Sequence, residues 1–161
     1  MLGVGAVENL GVLFLFYIEE GLALAVLGPT LFGIRPTEKK IITIGVLQGI
    51  MIYLARNLEL ILKLPPFTHT VFLLITLIVI IKLVTGTGWG LASASSILGF
   101  IVIVVGEIIF VPLFYPMLGL TFEKQATSMW LHILIAYLGD ILLFVLAIIV
   151  GLTKFSFIKP K

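Results

Sequence analysis

The sequence predicts an all-α protein, a single domain over residues 1–161 built as a polytopic membrane bundle of five transmembrane helices. Three observations predict it. Hydrophobic residues make up 61% of the 161-residue chain, against about 45–50% in soluble domains. Charged residues make up only 11%, too few to cover so much apolar surface in water. Five apolar stretches are each long enough to cross about 30 Å of hydrocarbon, which takes about 20 helical residues. The lipid bilayer is therefore the first expected partner. Strand edges cannot stay open in hydrocarbon and the alternating pattern of a barrel is absent, so the stretches are helices.

The first stretch covers residues 9–34. The segment before it, MLGVGAVENL, has no Lys or Arg, whereas a secretory signal carries a positive n-region and a small-residue cleavage site. The first run is therefore expected to be a retained span. The second covers residues 41–62 and follows the polar turn Arg35-Pro36-Thr37-Glu38-Lys39-Lys40. The third covers residues 66–84. It follows the rigid break Leu64-Pro65-Pro66, with Pro66 placed to open a helix. The fourth covers residues 91–118, after the flexible turn Thr85-Gly86-Thr87-Gly88. The fifth covers residues 126–152, after a polar loop from Gly119 to Gln125. No stretch reads as an interdomain linker, and no repeat of fixed period is present.

Lysine and arginine set the orientation. One side of such a bundle receives Arg35, Lys39, Lys40, Lys82, Lys154, Lys159 and Lys161; the other receives Lys63 and Lys124. This bias makes the first side cytoplasmic. The N-terminus is then outside, the C-terminus inside, and the protein a multi-pass protein of the cell membrane. Trp89 and Trp130 fall near span ends, as interfacial anchors do.

Charge inside the spans is the chemistry that stands out, because ionisable groups in hydrocarbon are costly and tend to face partners, cavities or substrates. Glu19 and Glu20 lie about 15 Å below the outer end of the first span, at 1.5 Å per residue. Adjacent helix positions point about 100° apart, so the two cannot share one partner equally. The bland arrangement protonates one and leaves the other lining a small aqueous pocket; the functional one contacts a cation, a proton or a ligand. Arg56 and Glu107 fall at similar depth on antiparallel spans. They form either a buried ion pair, with Glu59 at the rim, or a site where Arg56 takes an anionic ligand from outside. An Arg fork suits bidentate carboxylate pairing. Asp140 lies at the centre of the fifth span. His132 is two turns away on nearly the same face, a spacing compatible with a proton relay or a metal.

Two residues are too few for a metal site, and no His-x-x-Glu-His pattern is present, so neither a metal nor a cofactor is expected. His69 reads as interfacial. Pro112 and Pro116 should kink the fourth span after Glu107 and leave carbonyls free, which makes that segment the local candidate for a cavity. The run from Gly90 to Ser96 is small and polar and allows close helix packing. Gly3-Val4-Gly5 lacks the spacing of a nucleotide loop, and no Walker or nucleophile-elbow motif appears. A net charge of +2 with no basic block excludes a nucleic-acid partner. The absence of Cys excludes disulfides and thiolate metal sites.

Four segments resemble the multi-span N-terminal sensor region of Gram-positive sensor histidine kinases of the GHKL type. They are Phe32-Gly33-Ile34-Arg35, Tyr53-Leu54-Ala55-Arg56, Pro66-Phe67-Thr68-His69-Thr70 and Gly106-Glu107-Ile108-Ile109-Phe110. The resemblance implies a membrane sensor that passes helix movement to a partner kinase or neighbouring subunit, with the Arg56–Glu107 region receiving the signal in the outer leaflet. Such kinases continue into a phosphoacceptor helix and an ATP-binding domain. The sequence runs to Lys159-Pro160-Lys161 without ATP-binding glycine boxes, so kinase activity is not expected.

The leading expectation is a non-enzymatic integral membrane protein with a sensory or partner-binding role, joined to a membrane or signalling protein. The second is a small transporter or transporter subunit that uses Glu19, Glu20, Glu107 or Asp140 for proton or substrate contact. Five spans in one short chain would then need a homo-oligomer or an energising partner. The third is an intramembrane enzyme on His132 and Asp140, for which Ser128 is the nearest nucleophile and no supporting motif exists.

Overall fold

The computed structural model describes residues 10–64, 68–119 and 128–158. Every regular element among them is helical. Four helices are long and apolar enough to cross a membrane: α1 (Leu10–Leu31), α2 (Glu38–Leu62), α3 (Thr68–Thr85) and α4 (Trp89–Met117). A further pair, α5 (Met129–Gly139) and α6 (Ile141–Thr153), passes the same test jointly but is bent by 55°. Where a fifth span was expected over 126–152, the described residues form two helices that meet at Asp140. Pro66 and most of the 119–125 loop lie outside the described residues.

Boundaries follow local chemistry. α1 ends in a Schellman cap: Ile34 N–H donates to Pro29 O at 2.9 Å and Gly33 N–H to Thr30 O at 3.0 Å. Gly33 takes φ 75° there, a left-handed turn that glycine adopts without steric cost. α2 begins three residues before the expected start. Thr37 is extended immediately after Pro36, and Glu38 sits in the first turn, where a negative charge meets the positive end of the helix dipole. α4 likewise starts at Trp89, after extended Gly88, and Lys82 lies 5.9 Å over the Trp89 ring across that turn.

α1 is the central helix. It packs against α2, α4 and α6, while α3 bridges α2 and α4, and α4 also holds α5. Small residues let these backbones approach. A Cβ on Gly21 would lie 2.4 Å from Gly45 O, and one on Gly49 would lie 2.8 Å from the Ile18 Cα. Gly45 and Gly49 form a G-x-x-x-G pair, which favours close helix crossing in lipid. At the other side of α1, a Cβ on Gly28 would lie 2.3 Å from Ser95 O, so the small run at the start of α4 does pack closely, as expected.

Two apolar clusters fill the bundle. One gathers Leu24, Leu27, Ile44, Leu77, Ile81 and Leu143 toward the Leu31 end of α1. The other gathers Phe16, Tyr17, Ile52, Leu73 and Ile133 toward the Leu10 end. Gln48 is fully buried, and its amide donates to Leu73 O at 3.3 Å, tying α2 to α3.

Candidate functional site: a charged centre at a helix break

Asp140 is both the end of α5 and the start of α6, with φ −91° and ψ 8°. Its N–H still donates to Ala136 O at 3.0 Å, and its carbonyl still accepts from Phe144 N–H at 3.0 Å. The chain therefore turns without giving up the bonds on either side. Gly139 sits against α4: its carbonyl oxygen lies 2.5 Å from where a Gly106 Cβ would be. Phe16, Tyr137 and Phe144 pack around the bend, with Phe16 edge-on to Tyr137 at 5.1 Å between centroids and Tyr137 tilted against Phe144 at 5.5 Å. This aromatic group clasps α1 to both halves of the broken pair.

Asp140 is 4% exposed and Glu20 8%. Coulombic interaction links Asp140 with Glu20, Glu107 and Arg56, and links Glu20 with Arg56 and Glu107. Glu107 in turn interacts with Arg56 and His69. Four helical segments thus contribute to one electrostatic set: α1 through Glu20, α2 through Arg56, α4 through Glu107, and the α5–α6 break through Asp140. Glu20 lies about 15 Å along α1 and Asp140 about 17 Å beyond the start of α5, at 1.5 Å per residue, so both are at half-height. The Arg56 guanidinium lies 5.5 Å from the Tyr17 ring centroid, a cation–π distance. Tyr17 itself is fully buried.

The expected residues sort differently from the pattern along the sequence. Arg56 and Glu107, expected either to pair or to leave Arg56 for an anionic ligand, lie in each other's field, and each is also in the field of other members of the set. Glu59, expected at the rim of that pair, forms an ion pair with His69 Nδ1. Asp140, expected to have only His132 for company, lies in the field of Arg56, Glu20 and Glu107. His132 lies on α5, half-buried, two turns before the bend. Glu19 and Glu20 part company: Glu20 is buried with Asp140 in a set whose Arg56 is half-buried and whose Glu107 is exposed, while Glu19 is exposed on the flank of α1. There the Tyr137 hydroxyl contacts the Glu19 carboxyl and also meets Leu15 O at 2.6 Å. Leu15 belongs to a π-helical stretch, Leu13–Tyr17, a feature that recurs at functional sites.

Among the described residues no group of three His, Asp or Glu could hold a metal ion. Two cavities flank α1 on the α6 side. One, about 540 Å³, lies between α1, α4 and α6 and is lined by Leu27, Leu98, Val102, Leu146 and the Phe155–Phe157 tail. The other, about 440 Å³, is a groove between α1 and α6 that begins at Glu19. Pro112 and Pro116 stay within a continuous α4.

Tyr137 and Gln48 are the polar residues that sequence reasoning missed. Both lie on apolar helices, where a phenol or an amide reads as ordinary interface. Comparison with protein-family models, with characterised proteins and with solved structures gave no match.

Proposed function

We propose that this chain is a multi-pass membrane protein with a sensory or partner-binding role, its N-terminus outside and its C-terminus in the cytoplasm. The observation that carries the reading is the convergence of Glu20, Arg56, Glu107 and Asp140 from four helical segments on one helix break. A change of charge at that point acts on every one of those segments at once. A bent, glycine-flanked pair is the kind of element that two packings can share. The signal arrives from the outer leaflet or from outside, and the repacked helices pass it to a membrane or signalling partner. The resemblance to kinase sensor regions supports this direction of flow.

The chain has no cysteine, so single cysteines report its orientation cleanly. An impermeant maleimide should label Lys63→Cys and Gly119→Cys in intact cells, and should label Lys39→Cys and Thr87→Cys only after lysis. The role is tested by crosslinking and co-purification from native membranes, together with flux measured on the protein reconstituted alone. A specific partner whose output changes in Asp140→Asn supports the sensory role. Robust solute flux without a partner sinks it.

One observation favours a transport role instead. The centre holds three carboxyls and one guanidinium, so with all groups ionised two negative charges remain unbalanced in a medium that penalises them. Protons or a cation would restore balance. Uptake into liposomes that depends on a pH gradient and disappears in Asp140→Asn would establish that reading.

A further inference from the structure

The groove that starts at Glu19 has a polar head and an apolar body. Leu22 and Val26 of α1 form one wall; Phe144, Ile148 and Leu152 of α6 form the other. The α1 positions recur at a helix spacing of three and four residues, so the wall is continuous over about 10 Å. Its volume is about 440 Å³, within the range of small-molecule sites at about 300–1,000 Å³.

The carboxyl at its head is incompletely used. An ionised carboxylate offers about four acceptor positions. The Tyr137 hydroxyl has one proton, and Leu15 O lies 2.6 Å from its oxygen. If that proton goes to Leu15, Glu19 receives no donor from the phenol. If it goes to Glu19, about three acceptor positions are left on a carboxyl that lines the groove. In either case an exposed carboxyl opens onto walls of Leu, Val, Ile and Phe, in the half-height region where the proposed membrane would leave no water to serve it.

We infer that this groove binds a lipophilic amine, a cationic amphiphile whose ammonium seats on Glu19 and Tyr137 and whose hydrocarbon lies along α1 and α6. The inference rests on the proposed membrane placement and deepens the sensory reading by naming the class of signal. The ammonium brings three donors and a positive charge, which match the unused acceptors and the carboxylate. The apolar walls exclude a small hydrophilic cation, which would have to shed its hydration without replacement. Access is lateral, because Glu19 and Ile148 are exposed on the lipid-facing side. Glu19 adjoins Glu20 on one helix, so a movement of α1 on binding is felt directly at the charged centre.

The test uses the full chain in nanodiscs of neutral lipid, with radiolabelled dodecylammonium as probe and dodecanol and dodecyl sulfate as competitors. Saturable binding at one site per chain is expected, displaced poorly by the alcohol and not by the sulfate. Glu19→Gln should weaken it about tenfold or more, the scale of one charge-assisted hydrogen bond. Ile148→Trp, at a position 62% exposed, should block the groove without disturbing the core. It keeps the test decisive if Glu19→Gln misfolds. Equal affinity for amine and alcohol would mean a plain hydrocarbon slot and would overturn the proposal. Protection of an Ile148→Cys variant from labelling by a second copy of the chain, with no amine binding, would overturn it too. Binding that leaves the partner's output unchanged keeps the site and sinks the sensory role. No binding, with an output still altered by Asp140→Asn, does the reverse.

Discussion

Gly106 and Gly139 bring α4 and α5 into backbone contact just beside Asp140: a Cβ on Gly106 would lie 2.5 Å from the Gly139 carbonyl oxygen. That approach places Glu107, the next residue on α4, over the helix break. Its Cγ lies 3.4 Å from where a Gly139 Cβ would be. The charged centre therefore depends on the missing side chain of Gly106 as well as on the charged ones present.

Gly106→Ala is expected to be destabilising, because the atom in the way is backbone and cannot rotate aside. Overpacking of this kind costs about 1–3 kcal/mol. Gly139→Ala should be much milder, since its new methyl meets only the side chains of Glu107 and Val111 at 3.4 and 3.5 Å. Thermal unfolding of the two variants in detergent should rank them in that order. The reverse order would show that α4 and α5 are not so close.

Arg56 is the cation shared by Glu20, Glu107 and Asp140. Removing one partner from a buried ionic group costs about 3–5 kcal/mol, so Arg56→Met should lose most of its folded yield. Pairing it with Asp140→Asn should recover part of that loss, because the variant then carries one fewer uncompensated acid. Arg56→Lys should also be impaired, since an ammonium lacks the planar fork that lies over Tyr17. Yields and unfolding midpoints of the three variants decide the matter. Additive losses would mean that Arg56 and Asp140 act independently.

The helices were legible in the sequence because hydrophobic length alone marks a span, and the four long ones fall within a few residues of their expected ends. The break at Asp140 was not. Gly139-Asp140 inside an apolar run is compatible with a straight helix, and the close approach of Gly106 beside the bend comes from a distant segment. The separation of Glu19 from Glu20 was half legible: the 100° step says that they differ, but not which of them faces inward. Gly45 and Gly49 carried a readable signal in their four-residue spacing. Tyr137 carried none, since its partners Leu15 and Glu19 lie more than a hundred residues earlier in the chain.

Gln48 offers a test of how much a buried polar link contributes. Its amide reaches Leu73 O at 3.3 Å, but that carbonyl also accepts from the Thr76 hydroxyl at 2.9 Å. Gln48→Leu keeps the volume and leaves Leu73 O with another donor, so the loss should be small, about 0.6 kcal/mol as for other hydrogen bonds between membrane helices. Gln48→Ala opens a cavity and should cost about 2 kcal/mol or more by analogy with apolar truncations. Unfolding midpoints that place the two variants together would mean that the hydrogen bond, and not the packing, holds α2 to α3.

The tail after α6 lines the cavity of about 540 Å³. Lys154 turns the chain with φ 53°, Phe157 N–H donates to Leu31 O at 2.8 Å, and the Phe155 and Phe157 rings meet edge-on at 5.3 Å. The hydrogen bond joins the tail to the end of α1, so movement of α1 at Glu20 has a direct route to the C-terminal side. Phe157 is 67% exposed, and truncating it should change global stability by no more than about 0.5 kcal/mol. Its loss should instead uncover Val150, a buried cavity-lining residue. In a Val150→Cys background, Phe157→Ala should raise the rate of maleimide labelling several-fold. Phe157→Pro, which also deletes the donor to Leu31, should raise it further. An unchanged rate in both would show that the cavity is closed by α4 and α6 alone, and that the tail does not couple to α1 through this bond.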